Sequence, residues 1–322
     1  MIKAIFLALR RLALAASPRF LRQAVTRSRL GRAAIASGFD LRRHGGVIDV
    51  VSGRSILRIS ARHEVYLGDV ASSFYYYFGA VRPASWQGKE LVDYSRPRLH
   101  EVVGFDDFPI LFPSFCEPIA TAQQYLNFAA LSSGMTVLDL GAYSGLTAIL
   151  FAQHVMPGGR VIAVDADHLN VSCIEQNLAA YKRHSGHHID FMHTAVWNHE
   201  RGLRFSGEGN MGSSAAGIVG RDRGELPQVA STTLSGIVRR FKVNRVDFIK
   251  CDIEGAERLA FNDAEFFERF QPRIIIEAHL VEGVETTADC AAALAQHGYR
   301  CKRVSQHGVE FPLLECLPPG AV

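Results

Sequence analysis

Val137-Leu-Asp-Leu-Gly-Ala-Tyr-Ser-Gly145 is the stretch on which the fold turns. An apolar run ends in an acid, the backbone bends at Gly141, and a helix opens near Gly145. Glycine has no Cβ, so such a turn can be tight and can let a ligand approach the main chain. Open parallel sheets bind ligands beyond the carboxyl ends of their strands, where a turn of this kind sits. A carboxylate ahead of the glycines repels a pyrophosphate but can serve an ammonium group, directly or through water. Asp139 therefore fits a cofactor that carries an amino acid better than a dinucleotide. Gly141, Ala142, Tyr143 and Gly145 are the expected contacts around it.

Outward from this turn the chain alternates strands and helices. A helix is expected over Ile119–Leu131, a strand over Thr136–Leu140, a helix over Gly145–His154, a strand over Arg160–Val164 and a helix over Asn170–Tyr181. A strand at Ile189–Met192 leads through a hairpin-like stretch to Phe205, and Ser206–Gly217 is a loop rich in Gly and Ser. Helix Thr233–Phe241, strand Val246–Lys250, a broadly helical Ala256–Phe270, strand Arg273–Ala278, helix Ala288–His297 and a terminal hairpin complete the series. This alternation predicts a mostly parallel sheet with helices on both faces.

Two further strand ends carry chemistry. Asp165 follows Gly145 at the spacing where an acid commonly accepts hydrogen bonds from ribose hydroxyls, with Ala166 beside it. The run His193-Thr-Ala-Val196 offers small and polar residues, Ala195 among them, to border an adenine. Val246-Asp-Phe-Ile-Lys-Cys-Asp-Ile-Glu-Gly-Ala-Glu257 crowds Lys250, Asp252, Glu254 and Glu257 at the end of an otherwise apolar strand. Buried charges without partners are costly, so these groups must pair with one another or face a wet cleft. A purely structural role, with Lys250 neutralising the acids and Glu257 capping a helix, is the alternative.

These segments, with Thr232-Thr-Leu between them, resemble the FkbM family of S-adenosylmethionine-dependent methyltransferases over roughly Glu117 to Glu277. Lys-x-Asp-x-Glu-Gly-x-Glu is the specific part, and the family pattern often has Asn where this chain has Tyr143. The resemblance implies S-adenosyl-L-methionine as cofactor and methylation of a hydroxyl oxygen on a sugar or polyketide-type product. An alcohol is a weak nucleophile, so a base should assist loss of its proton. Asp252, Glu254, Glu277 and His279 are the candidates, His279 foremost because imidazole titrates near neutrality. The same four residues have the donor types to gather a divalent cation, but nothing in their spacing demands it, and no metal ligand is assigned.

Composition bounds the remainder. The chain has 322 residues, 48% hydrophobic and 21% charged, which excludes a disordered or collagen-like chain. No apolar run approaches the ~18 residues a membrane-spanning helix requires. Eight Lys and Arg residues and no acid lie in residues 1–39, so the net charge of +3 leaves −5 for residues 40–322. An acidic body without an Asn-Pro-Pro-aromatic run argues against nucleic acid as partner. Six scattered cysteines with no CxxC pair fit a reducing, cytoplasmic setting. Residues 1–40 are expected as a basic amphipathic helix, whose first 32 residues suit peripheral contact with an anionic inner-membrane surface. Residues 41–116 are expected as a small β-rich, antiparallel region, with strands at Val47–Val51, Ser55–Ile59 and Glu64–Leu67 and an aromatic cluster at Phe74–Phe78. Residues 117–322 form the catalytic domain. The fold class is thus α/β: a Rossmann-like doubly wound, mostly parallel sheet with a C-terminal antiparallel hairpin, preceded by the β-rich region and the basic helix. A hydroxylated small molecule or glycan, glycolipids included, is the expected acceptor. The rivals are a nicotinamide-dependent dehydrogenase and a non-catalytic cofactor-binding module.

Overall fold

The computed structural model describes residues 38–209, 212–215, 226–306 and 311–321. The expected N-terminal basic helix lies outside them. The chain divides into two compact units, one ending at Arg96 and the other beginning at Pro97. No described helix is long and apolar enough to cross a membrane.

In the first unit, strands β1 (Asp40–His44), β2 (Val47–Ser52), β3 (Ser55–Ser60), β4 (Ala84–Trp86) and β5 (Lys89–Tyr94) form one sheet in the order β1-β2-β3-β5-β4. The sheet is mixed and not antiparallel throughout, because β3 and β5 run parallel. A parallel pair needs a long crossover, and here the crossover contains a 3-10 turn at Ala61–Tyr66, helix α1 (Leu67–Ser72) and helix α2 (Phe74–Gly79). The expected strand at Glu64–Leu67 is therefore helical. The Phe74–Phe78 cluster is helical too: rings four residues apart lie on one helix face, and Phe74 and Phe78 stack with centroids 5.5 Å apart.

The second unit opens with the short pair β6 (Arg98–His100) and β7 (Ile110–Phe112), followed by α3 (Ile119–Ala129). Then come β8 (Thr136–Leu140), α4 (Leu146–Val155), β9 (Arg160–Asp165), α5 (His168–Ser185) and β10 (Asp190–His193). Short strands β11 (Ala195–Val196), β12 (Leu203–Ser206), β13 (Ser214–Ala215), β14 (Gln228–Val229) and β15 (Ser231–Thr232) precede α6 (Leu234–Arg240). The chain continues through β16 (Phe248–Cys251), α7 (Glu257–Ala260), α8 (Ala264–Arg269), β17 (Arg273–Glu277), β18 (Leu280–Val281), β19 (Val284–Glu285), α9 (Thr287–Ala295), β20 (Arg300–Val304) and β21 (Leu313–Leu317).

The central sheet has the order β10-β9-β8-β16-β17-β21-β20. Its first five strands and the edge strand β20 run in one direction, and β21, between β17 and β20, is antiparallel to both its neighbours. All five residues of β8 are buried, as a strand covered on both faces must be. Leu138, Leu140, Ile162, Val164, Ile249 and Ile274 pack with Leu234, Ile237 and Phe266 of the covering helices. Successive strands step outward from β8 to β9 to β10, then the order reverses to β16. This topological switch lies between β8 and β16 and leaves a crevice at their carboxyl ends. The expected single helical stretch at Ala256–Phe270 is two helices, because Asp263 caps α8 through Phe266 N and also binds Ser235 N and Oγ.

Candidate active site

An open cleft lies at the switch point. Gly141, Ala142, Tyr143, Asp165, Ala166, Ala195, Asp252 and Glu254 all line it. Asp139, Gly145, Glu277 and His279 are not in that lining. Residues from α3 and from both ends of β11 complete the wall, among them Tyr125, Thr194 and Trp197.

Parallel pairing of β8 with β16 puts Asp139 directly beside Lys250. Both are buried. Thr147 donates its hydroxyl to Asp139 Oδ2, and Asp139 Oδ1 has no hydrogen-bond partner among the described residues, with Lys250 Nζ 3.5 Å away. The ammonium that Asp139 faces is thus the protein's own. Lys250 Nζ also donates to the Gly141 carbonyl at 2.7 Å and stands 3.4 Å from Asp252. Burial alone would depress this lysine, but Asp252, Asp139 and Glu277 together raise its pKa and keep it charged. Burial raises the carboxyl of Asp139, opposed by Lys250 and Thr147.

The glycine turn is shaped by the protein. Gly141 has φ 82°, and a Cβ there would lie 1.7 Å from the Asp252 carbonyl oxygen. It is the β16 loop, not a ligand, that needs the missing side chain at this position. Tyr143 holds φ 53°, a region where Asn is far more at ease than Tyr. Its hydroxyl donates to the Phe115 carbonyl at 2.8 Å and accepts from Ser114 N, while its own N–H donates to Asp165 Oδ2 at 2.7 Å. These bonds hold the strained residue and tie the loop before α3 to the turn.

Asp165 also accepts from Asp167 N and Asn170 Nδ2. Burial lifts its pKa to about 7 against the pull of the Asp167 and Tyr143 N–H groups. Asp167 is buried, caps α5 through Leu169 N, and binds Gly209 N and Ser213 Oγ. The described part of the Gly- and Ser-rich loop is therefore pinned to α5. Its residues 210–211 and 216–217 lie outside the described set.

Beyond β16 the acids diverge in role. Glu257 is buried and accepts from Gly255 N, His279 N and Thr286 Oγ1. Burial would raise it, but the charge and hydrogen bonds of His279 and the hydroxyl of Thr286 hold it below the usual carboxylate range. His279 Nδ1 lies 3.4 Å from Glu257, and its Nε2 lies 3.6 Å from both Asp252 and Glu254. Burial would lower this imidazole, yet Glu254 and Glu257 outweigh it and keep its pKa well above the ordinary value. His279, expected to titrate near neutrality, is instead held protonated. Glu254, at φ 54°, is raised by burial to about 8. Glu277 accepts from Tyr125 and Gln306, and burial with Asp252 nearby raises it. Tyr125 and Gln306 escaped the sequence reading because neither adjoins a motif; one lies on α3, before the first strand of the central sheet, and the other follows β20.

Comparison with known proteins decides the family. The model of the "Methyltransferase FkbM domain" matches residues 139–301, half of the chain. The chain belongs to the FkbM methyltransferase family. Residues 139–301 are its S-adenosylmethionine-dependent methyltransferase domain, which sets aside the nicotinamide alternative. An FkbM methyltransferase of Methylobacillus flagellatus KT is 18% identical, with 60% of this chain and 50% of that one covered and a TM-score of 0.41. Fibrillarin of Aeropyrum pernix, solved with natively bound S-adenosyl-L-methionine, is 14% identical over 86% of this chain and 98% of that one, with a TM-score of 0.40. The arsenite methyltransferase of Halobacterium salinarum is 46% identical over 52 residues, 16% of this chain, and the match spans only 13% of that relative's length.

The cleft suits the cofactor of this FkbM domain. The turn residues Ala142 and Tyr143, an acid at the end of β9 and the small residues Ala166 and Ala195 meet in one wall. The chemistry of the Asp165 carboxylate at a strand end suits a ribose, and the small side chains leave room for a flat ring.

Proposed function

We propose that the protein is an O-methyltransferase that acts on a hydroxyl of a carbohydrate, glycolipid or related natural product. When bound, S-adenosylmethionine supplies an electrophilic methyl group. The turn at Gly141–Tyr143 holds its amino-acid end, Asp165 accepts from its ribose hydroxyls, and Ala166 and Ala195 border its adenine. Holding the acceptor in line with the donor contributes about 7–11 kcal/mol through prepaid entropy. The observation that carries the oxygen-acceptor reading is the pair of carboxylates, Asp252 and Glu254, on the cleft wall beside the turn. Carboxylates accept a proton from a hydroxyl as it attacks. His279, already protonated between three acids, orients them instead. Glu254 is the favoured acceptor in its ionised form, which with a pKa of about 8 predominates only in mildly alkaline solution; the residue is held in left-handed backbone geometry, a strain found where function fixes a side chain.

Transfer of radiolabelled methyl from S-adenosylmethionine to a panel of glycans, glycolipids and polyketide alcohols tests this. Label in an alkali-stable ether supports it; label on nitrogen, or cofactor binding without transfer to any acceptor, refutes it. Glu254→Gln should lower kcat by about 10²- to 10⁴-fold while calorimetric affinity for S-adenosylhomocysteine stays within about twofold.

A further inference from the structure

We propose that Asp252, Glu277 and His279 form a binding site for one first-row divalent cation of the Mn²⁺ or Zn²⁺ class. Each of the three offers a ligand atom, and these atoms lie within 4.8 Å of one another. Asp252 comes from the end of β16, Glu277 from the end of β17, and His279 from two residues beyond it. They converge because parallel pairing of the two strands puts their carboxyl ends side by side.

The orientation of His279 points to an ion. This side chain is 5% exposed. Its Nδ1 is taken by Glu257, and its Nε2 makes no hydrogen bond among the described residues; it faces Asp252 Oδ1 and Glu254 Oε1, each at 3.6 Å. That distance is too long for a hydrogen bond. For His279 and Asp252 it is the separation of two ligand atoms that share one ion through bonds of about 2.2 Å at a near-tetrahedral angle. A carboxylate on one ring nitrogen with the metal on the other is the usual way a protein fixes a ligating imidazole. Glu257 has the position of that orienting carboxylate, and Thr286 and Gly255 in turn fix Glu257.

Gln306 Nε2 donates to Glu277 and so holds this carboxylate in place. Charge balance agrees. Among the described residues, Asp139, Asp252, Glu254, Glu257 and Glu277 face Lys250 and His279 as their cations. An ion on His279 Nε2 replaces one proton with two positive charges and leaves Glu254 as the proton acceptor. The nitrogen ligand favours transition metals over Mg²⁺, which prefers oxygen and keeps its waters. In the methyl-transfer reading, on which this one role rests, the ion would lower the pKa of the acceptor hydroxyl.

Full-length protein stripped by chelator and exchanged into metal-free buffer is titrated with Mn²⁺, following the free-ion paramagnetic resonance signal. One ion per chain is expected, retained against about tenfold excess Mg²⁺. His279→Ala and Glu277→Gln should each lower affinity by at least about tenfold, and Glu257→Gln by about 10- to 100-fold. Glu265→Gln, on the exposed face of α8, should leave it unchanged. Absence of saturable Mn²⁺ binding to folded protein overturns the proposal, as does equal affinity in the wild type and in Glu277→Gln. If His279→Ala fails to fold, Asp252→Asn takes its place. Binding of S-adenosylhomocysteine is measured on the same samples: its persistence without Mn²⁺ binding sinks the metal site alone, and its loss reflects on the methyltransferase reading.

Discussion

A Cβ built on Gly141 would stand 1.7 Å from the Asp252 carbonyl oxygen, on a residue whose φ is 82°. Gly134 has a similar φ of 86° but open space around it. Gly134→Ala should therefore cost about 1–2 kcal/mol from backbone strain alone. Gly141→Ala should cost more than about 4 kcal/mol, since β8 and the loop after β16 must part to admit it. Urea denaturation of both variants checks the contrast, and equal losses would mean that the loop yields freely. Asp165 gives a pH-dependent test. Its folded pKa of about 7 lies above the value of an unfolded Asp, so the native state holds a proton that the unfolded chain has lost. Its contribution to stability is complete below about pH 4 and falls away as pH rises through 7. Ribose hydroxyls need the ionised form as acceptor. Affinity for S-adenosylhomocysteine should then rise about tenfold from pH 6 to pH 8, and Asp165→Asn should flatten that rise and weaken binding. A wild-type affinity independent of pH would remove Asp165 from the cofactor site. The sequence singled out both residues but not their partners: the oxygen that crowds Gly141 belongs to a segment far along the chain.

Element by element, what the sequence revealed depended on burial. The strands of the central sheet read clearly because covering on both faces demands continuous apolar runs, and β8 was found at its observed limits. The helices around 61–79 misled, because Tyr and Phe favour strands only when packed on a pleated surface. Here Phe74 lies buried on a short helix with Phe78 stacked on it one turn away. The break between α7 and α8 was also hidden, since its cause is a long-range bond. Asp263 binds Phe266 N within its own helix and both Ser235 N and Ser235 Oγ on α6. Asp263→Ala should thus cost more than a lost cap, about 2–3 kcal/mol, because Ser235 is left buried without its acceptor. Ser235→Ala in the same background should then cost little further. Full additivity in that double-mutant cycle would show that the two groups do not act as one unit.

For the molecule as a whole, reversal of strand order between β8 and β16 explains why motifs scattered from Asp139 to His279 share one site. That reversal is what the doubly wound alternating pattern implied. The acid cluster was legible only as a list of residue types; pairing of β16 with β17 decides which of them meet. The basic segment is the remaining global feature. Residues 1–32 carry eight positive charges and no negative one, whereas residues 40–322 carry a net −5. Near an anionic lipid surface each Lys or Arg contributes about 1 kcal/mol, so eight of them can outweigh repulsion of the acidic remainder. We expect the full chain to co-sediment with vesicles containing phosphatidylserine, and a chain lacking residues 1–32 to remain in the supernatant while still binding S-adenosylhomocysteine. Salt at 1 M shortens the Debye length to about 3 Å and should release the full chain. Retention through that wash would point to apolar insertion instead of charge, and equal sedimentation of the two forms would remove the segment from membrane contact. A release by salt would place a lipid-linked acceptor within reach of the cleft by diffusion in two dimensions, which raises the encounter rate for a glycolipid over a free sugar. Comparing methyl transfer to the same glycan with and without its lipid, on vesicles and in detergent-free solution, would then separate localisation from recognition: only the vesicle-bound substrate should lose rate when residues 1–32 are removed.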